Sequence, residues 1–354
     1  MNRIWKIVFW FAFSLCFLFL AVFCLVDRPA LMRHAAKVKP YAVAFQSGGT
    51  IRRGTAEPGS VIVFFGDSSV ARPPWAKRTS PSIPALLEAE LRNFSPDSLS
   101  PPVLDWAFAG GRLFHYYCLL FEAEKHRPSL VIIPINWRSL GPQAPQWREK
   151  FAFHELSALV PRGEWAHPSG KSVLRLERIP PPRLALRLLH RPTLFITGLR
   201  VSFQTTLGIQ PKEEPWAEVF DNLPTGQELI GQYGDERLFN QYANRISGDN
   251  SQLRLLRRLV ETAGRRGVKL LFYITPIHLE EMRRRPAFDE AAFRTSMGVV
   301  VDATRSETTS CLDLSGLLGE EDFIDVSEHY SDGGNRKIAL ALALAVKEFI
   351  APPQ

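Results

Sequence analysis

The sequence predicts an α/β domain built on a mostly parallel sheet of five strands, preceded by one membrane-spanning helix. Three observations predict it. Short apolar runs at 61–65, 103–108, 130–135, 268–275 and 310–314 are bounded by turn residues and separated by stretches of helical length. Continuous rather than alternating apolar strands belong to a sheet covered on both faces, as parallel sheets are. Finally, residues 7–26 form a run of 20 that is apolar except for Ser14, and at about 1.5 Å per residue such a helix spans about 30 Å of hydrocarbon.

The 7–26 run is preceded by Arg3 and Lys6 and ends Phe23, Cys24, Leu25, Val26, Asp27, with no small-residue cleavage site. It reads as an uncleaved anchor rather than a signal peptide, whose apolar region is roughly 7–15 residues long. Residues 1–26 are thus a short tip and anchor, and 27–60, with scattered Pro and Gly, a juxtamembrane linker. Arg28, Arg33, Lys37 and Lys39 beyond the anchor outnumber Arg3 and Lys6 before it, so charge alone does not set the orientation.

From 61 the strand-like and helix-like stretches alternate. The run 61–65 is followed by a helical stretch at 82–92, and 103–108 by one at 113–124. After 130–135 the rhythm breaks. Residues 139–245, rich in Pro, Trp and Arg, are too long for a structureless loop and read as an insertion. The leucines and arginines of 183–191 suit a small packed subdomain, a surface that rests on a membrane or a lid over a substrate. The alternation then resumes with helical 251–265, strand 268–275, helical 287–297, strand 310–314 and a closing helix at 336–350.

Composition sets outer bounds. The 354 residues are 45% hydrophobic and 22% charged, ordinary globular usage, with a formal net charge of +7 that falls to +5 without Arg3 and Lys6. A mild, scattered basic excess suits a domain near anionic lipid or glycan; no basic and aromatic module argues for nucleic acid. Cys16 and Cys24 lie in the anchor and Cys118 and Cys311 in apolar runs, with no metal or disulfide spacing.

The chemistry-bearing residues stand just beyond strand ends. Ser68 follows the first run in Gly66-Asp67-Ser68-Ser69, Gly110 the second and Asn136 the third; ligands of an open parallel sheet bind at such carboxyl ends. Serine is a weak nucleophile until a base takes its proton, and His329, in the loop before the last helix, is suited to that near neutral pH. Asp325 is the candidate for orienting the imidazole. The backbone N–H groups of Ser68 and Gly110 and the side-chain amide of Asn136 are candidate donors to the oxyanion of an acyl-transfer intermediate. His278, after Pro276 at a strand end, is a candidate substrate contact or a structural residue. A phosphate cradle at 66–69 is the weakest alternative: it lacks Walker spacing and a following Lys.

The order Gly66-Asp67-Ser68, Gly110, Asn136, then Asp325 and His329 with Gly334 five residues on, resembles the SGNH (GDSL-type) hydrolase superfamily over roughly 60–350, apart from the insertion. The anchor and the run Tyr273-Ile274-Thr275-Pro276-Ile277-His278 are similar to its envelope-associated branch, which includes accessory proteins of teichoic-acid D-alanylation and alginate O-acetylation. The resemblance implies a flavodoxin-like three-layer sandwich and no metal or cofactor. It also implies a domain outside the cytoplasmic membrane that acts on an acylated envelope glycan or small acyl ester, beside a membrane-bound O-acyltransferase. Two departures stand out. The third block is Pro134-Ile135-Asn136-Trp137 rather than Gly-x-Asn-Asp, and Asp325 stands four rather than three residues before His329, so either a bulge restores the geometry or Ser68 and His329 work as a dyad. Asp105 stands where many relatives have Asn. The expectation is a serine esterase or O-acyltransferase, with a catalytically silent assembly partner as the alternative.

Overall fold

A computed structural model describes residues 61–67, 69–70, 81–94, 100–107, 111–141, 160–161, 164, 242, 245–324 and 328–350. The 7–26 anchor, the 27–60 linker and most of the 139–245 insertion lie outside them, as do Ser68, Gly110 and Asp325. Among the described residues no helix is long and apolar enough to cross a membrane.

The described chain runs β1 (Ile62–Gly66), α1 (Ile83–Phe94), β2 (Val103–Ala107), α2 (Leu113–Ala123), β3 (Leu130–Ile135), α3 (Ser251–Arg265), β4 (Leu270–Ile274), α4 (Leu279–Arg283), α5 (Glu290–Thr304), β5 (Thr309–Asp313) and α6 (Asp332–Ile350). Among these residues the five strands form one sheet in the order β2-β1-β3-β4-β5, every pair parallel.

Two-residue periodicity sorts the strand side chains between two cores. Val63, Phe65, Val131, Ile133, Ile135, Leu270, Phe272 and Ile274 face one side, where α2, α3 and α5 pack. Ile62, Phe64, Leu130, Ile132, Leu271 and Tyr273 face the other, against α1 and α6. Both faces are therefore covered, which is why β1, β3 and β4 are apolar at nearly every position. On α6, Ile338, Ala339, Leu342, Ala343 and Val346 recur at helical spacing and bury against α1, while Leu340 and Leu344 stay exposed on the opposite side.

The direction of travel explains the distribution of helices. From β1 the chain steps outward to β2 through α1, then returns past β1 to β3 through α2 and continues the same way to β4 and β5. A reversal of direction moves the right-handed crossover to the opposite face of the sheet. It also opens a crevice at the carboxyl ends of β1 and β3, the preferred ligand position in such sheets.

Candidate active site

The end of β1 is a rigid turn. Asp67, buried to 3% exposure, accepts through Oδ1 from the Ser69 backbone N–H at 2.8 Å and from the Ser69 hydroxyl at 2.6 Å, and its own carbonyl accepts from Val70 N at 3.1 Å. An Asp that folds back onto the residue two positions later makes an Asx turn, so the chain on both sides of Ser68 is pinned. Gly66 has no room for a side chain: an added Cβ would meet Val70 Cβ at 2.6 Å and Ala107 Cβ at 2.8 Å. Gly111 is as constrained, because its Cβ would lie 2.6 Å from the Gly66 carbonyl oxygen. The two glycines let the β1 turn and the chain entering α2 touch backbone to backbone.

At the end of β3, Asn136 is extended and 3% exposed. Its Oδ1 accepts from Arg138 N at 3.0 Å and caps the short 3-10 turn Trp137–Leu140, whereas its Nδ2 is buried and makes no hydrogen bond. The capping and oxyanion readings are therefore compatible in one side chain: the carbonyl end holds the turn and the amide end remains a donor. Trp137 fills the position after it as a core residue, its ring tilted against Phe293 with centroids 4.6 Å apart and its indole N–H donating to the Tyr242 carbonyl.

His329 is 5% exposed and sits in a narrow loop. Phe323 and Tyr330 form an antiparallel bridge across that loop, Ile324 N donates to the His329 carbonyl at 2.9 Å, and Ser331 N donates to the Asp322 carbonyl at 2.7 Å. The Tyr330 hydroxyl reaches the Pro276 carbonyl at 3.0 Å and ties the loop to the end of β4. Gly334, in the first turn of α6, brings that helix so close that a Cβ would lie 2.6 Å from the Asp322 carbonyl oxygen.

His278 caps α4: its Nδ1 accepts from Glu281 N at 3.3 Å, and its ring stacks on Phe323 at 4.8 Å. This is the structural half of the sequence expectation. His115 likewise caps α2, accepting from Arg112 N, and His126 lies edge-on to Trp106.

A polar cluster beneath the strand ends was not foreseen from the sequence. Arg112 Nη1 donates to Ser139 Oγ at 2.9 Å, and Arg138 Nη2 lies 3.7 Å from Glu328 Oε2. Glu328, one residue before His329, is 1% exposed and adopts a left-handed backbone with φ of 69°. Burial pushes its carboxyl up to about 8; Arg138 pulls it down, Asp67 pushes it further up and Arg112 pulls it down. Burial lowers the basicity of Arg112, with the Arg138 charge adding to the effect and Asp67 opposing it. Burial also raises Tyr116, Tyr273 and Tyr330, and Asp67 contributes to each. The only sequence hints were a carboxylate beside the loop histidine and arginines just past two strand ends.

Of the six residues the sequence singles out, Asn136, His329 and His278 are described, and each lies at the carboxyl edge of the sheet or in a loop tied to it. A scan against protein-family models and a search of curated proteins found no match to this chain.

Proposed function

We propose that the chain is a membrane-anchored serine esterase or O-acyltransferase of the SGNH type, acting on an acylated cell-envelope glycan or a related ester. The observation that carries this reading is the Arg138–Glu328 approach of 3.7 Å. It sets the residue beside His329 against the residue two beyond Asn136, so the base-bearing loop and the end of β3 share one region despite their distance in sequence. The strand order and the helices on both faces support a flavodoxin-like three-layer sandwich, whose crevice lies between β1 and β3.

In this mechanism His329 removes the proton from Ser68 as its Oγ attacks the acyl carbonyl. The tetrahedral oxyanion takes hydrogen bonds from the Asn136 amide and from the backbone N–H groups of Ser68 and Gly110. Collapse breaks the ester bond, and His329 returns the proton to the departing oxygen. An acceptor hydroxyl, from water or a glycan, gives its proton to His329 and attacks the acyl-Ser68 ester; as the Ser68 Oγ–acyl bond breaks, His329 returns that proton to Ser68 Oγ. Asp325 serves as the acid that orients His329. The 7–26 segment would hold the domain at the outer face of the cytoplasmic membrane, beside a membrane-bound O-acyltransferase, and transfer to a glycan is favoured over hydrolysis by that setting.

A second reading, an SGNH-fold assembly partner without turnover, draws on Trp137. It occupies as a fully buried core residue the position where the resemblance leads one to expect an Asp. A fluorophosphonate probe separates the two. Labelling that disappears in Ser68→Ala is expected for the enzyme; folded wild-type protein that takes up no probe would exclude it.

A further inference from the structure

The loop that carries His329 has an unusual anchor. Glu328 is a buried, non-glycine residue in the left-handed region, a backbone state that an L-residue bearing a long side chain adopts only when its surroundings enforce it. What it gains there is the approach to Arg138, which lies within the 3-10 turn Trp137–Leu140 and whose backbone N–H donates to the capping Asn136. One residue further, Ser139 accepts from Arg112, which follows the Gly110-Gly111 segment. Asp67, at the end of β1, acts electrostatically on both Arg112 and Glu328. Two guanidinium groups and two carboxyl groups from four chain segments thus lie within electrostatic reach of one another, with Arg138 and Glu328 in direct approach. Having both signs present, the cluster is poorly suited to hold an anionic ligand and well suited to hold the segments together.

Resting on the acyl-transfer reading above, we propose that Glu328 and Arg138 are positioning residues. Their contact is a cross-brace that fixes the distance between the Asn136 amide and the His329 imidazole, and Arg112 with Ser139 extends it to the oxyanion loop after β2. Neither residue touches substrate. A loosened brace leaves binding intact and lets base and oxyanion donor drift from the geometry that the tetrahedral intermediate needs, and misplacement of about 1 Å lowers rate about 100-fold. The groups facing Glu328 are Arg138, Arg112, Asp67 and the Tyr242 hydroxyl, with Tyr273 and Tyr330 close by. Ionisation of Glu328 as pH rises through about 8 strengthens its attraction to Arg138.

The test uses the full chain, with fluorophosphonate labelling of Ser68, turnover of a short-chain acyl ester, and thermal melting. Glu328→Gly relieves the left-handed backbone while deleting the carboxyl. We expect it to melt no lower than Glu328→Ala, yet to label and turn over 10- to 100-fold more slowly than wild type, with kcat reduced and KM held. Glu328→Gln is expected to erase a rise in kcat that wild type shows through pH 8. Loss of one member of a buried pair can unfold a protein, so the double variant Arg138→Met with Glu328→Gln provides a folded chain without the ionic brace, and it should be as slow as Glu328→Gly. Labelling and kcat within twofold of wild type in both Glu328→Gly and the double variant would overturn the brace and leave the acyl-transfer reading standing. Wild-type protein that is folded but neither labels nor turns over would overturn both.

Discussion

Gly111 and Gly66 meet backbone to backbone, with the position of a Gly111 Cβ only 2.6 Å from the Gly66 carbonyl oxygen. A neighbouring carbonyl at the end of a sheet strand has nowhere to go, unlike the tip of a flexible side chain. Gly111→Ala should therefore force β1 and the start of α2 apart and destabilise by about 1–3 kcal/mol, the usual range for overpacking. Chemical denaturation reads this directly as a lower midpoint with an unchanged slope. An unshifted midpoint would mean that the two backbones part without cost and that the contact does not hold the turn.

Asn136 offers a way to separate capping from catalysis. Asn136→Ser keeps a capping oxygen for Arg138 N and removes the amide donor, whereas Asn136→Ala removes both. The Ser variant should stay within about 0.5 kcal/mol of wild type while the Ala variant loses about 1 kcal/mol. Both should lower the rate of acyl-enzyme formation by about 100- to 1,000-fold, the usual effect of losing one oxyanion donor. Full activity in the folded Ser variant would remove Asn136 from the mechanism.

Asp105 gives the fold a measurable pH signature. Burial raises its carboxyl to about 6 from 3.8, against the hydrogen bonds from Ala107 N and Ser82 Oγ. Because the folded state holds the proton more tightly than the unfolded one, its stabilising contribution is complete below about 4 and is lost as pH rises through about 6. At pH 7 the ionised group is a liability of roughly 1–2 kcal/mol, after discounting about 3 for the partial exposure of β2. Asp105→Asn should recover that amount at pH 7 and nothing at pH 4, measured by urea denaturation at both values; an equal gain at both would assign the effect to something other than titration.

His278 should behave as a structural residue. Replacement by Ala removes the acceptor for Glu281 N and the stack on Phe323, and about 1 kcal/mol of stability should be lost. His278→Asn, which restores a capping oxygen, should regain part of it. A variant that melts like wild type but shows a severalfold higher KM would instead make His278 a substrate contact.

Much of the architecture was legible because it rests on local patterns. The run 61–65 became Ile62–Gly66, 130–135 became Leu130–Ile135 and the helix 251–265 became Ser251–Arg265; apolar continuity and spacing announce them. The helix expected at 287–297 is Glu290–Thr304, since its Val299-Val300-Val301 segment is β-branched and disfavours helix in isolation, while packing of Val300 in the core overrides that tendency. The last helix begins at Asp332 rather than 336 because Gly333 and Gly334, weak helix formers, are drawn in by the close approach of Gly334 to the Asp322 carbonyl. The helix Leu279–Arg283 is too short for periodicity to signal. The places of Asn136, just past a strand, and of His329, just before a helix, could be read from the sequence. Glu328 and Arg138 could not, because a contact between residues so far apart in sequence leaves no local pattern.

The docking of α6 on α1 has a temporal consequence. A polypeptide is made from its amino terminus, so β1 and its pinned turn can pair with β2 and β3 before α6 has been made. The imidazole, just before α6 in the chain, comes into register only once α6 has been made and has settled on a helix formed much earlier. Under the proposed chemistry, a nascent or truncated polypeptide would carry an inert hydroxyl, and esters met during synthesis would be safe from it.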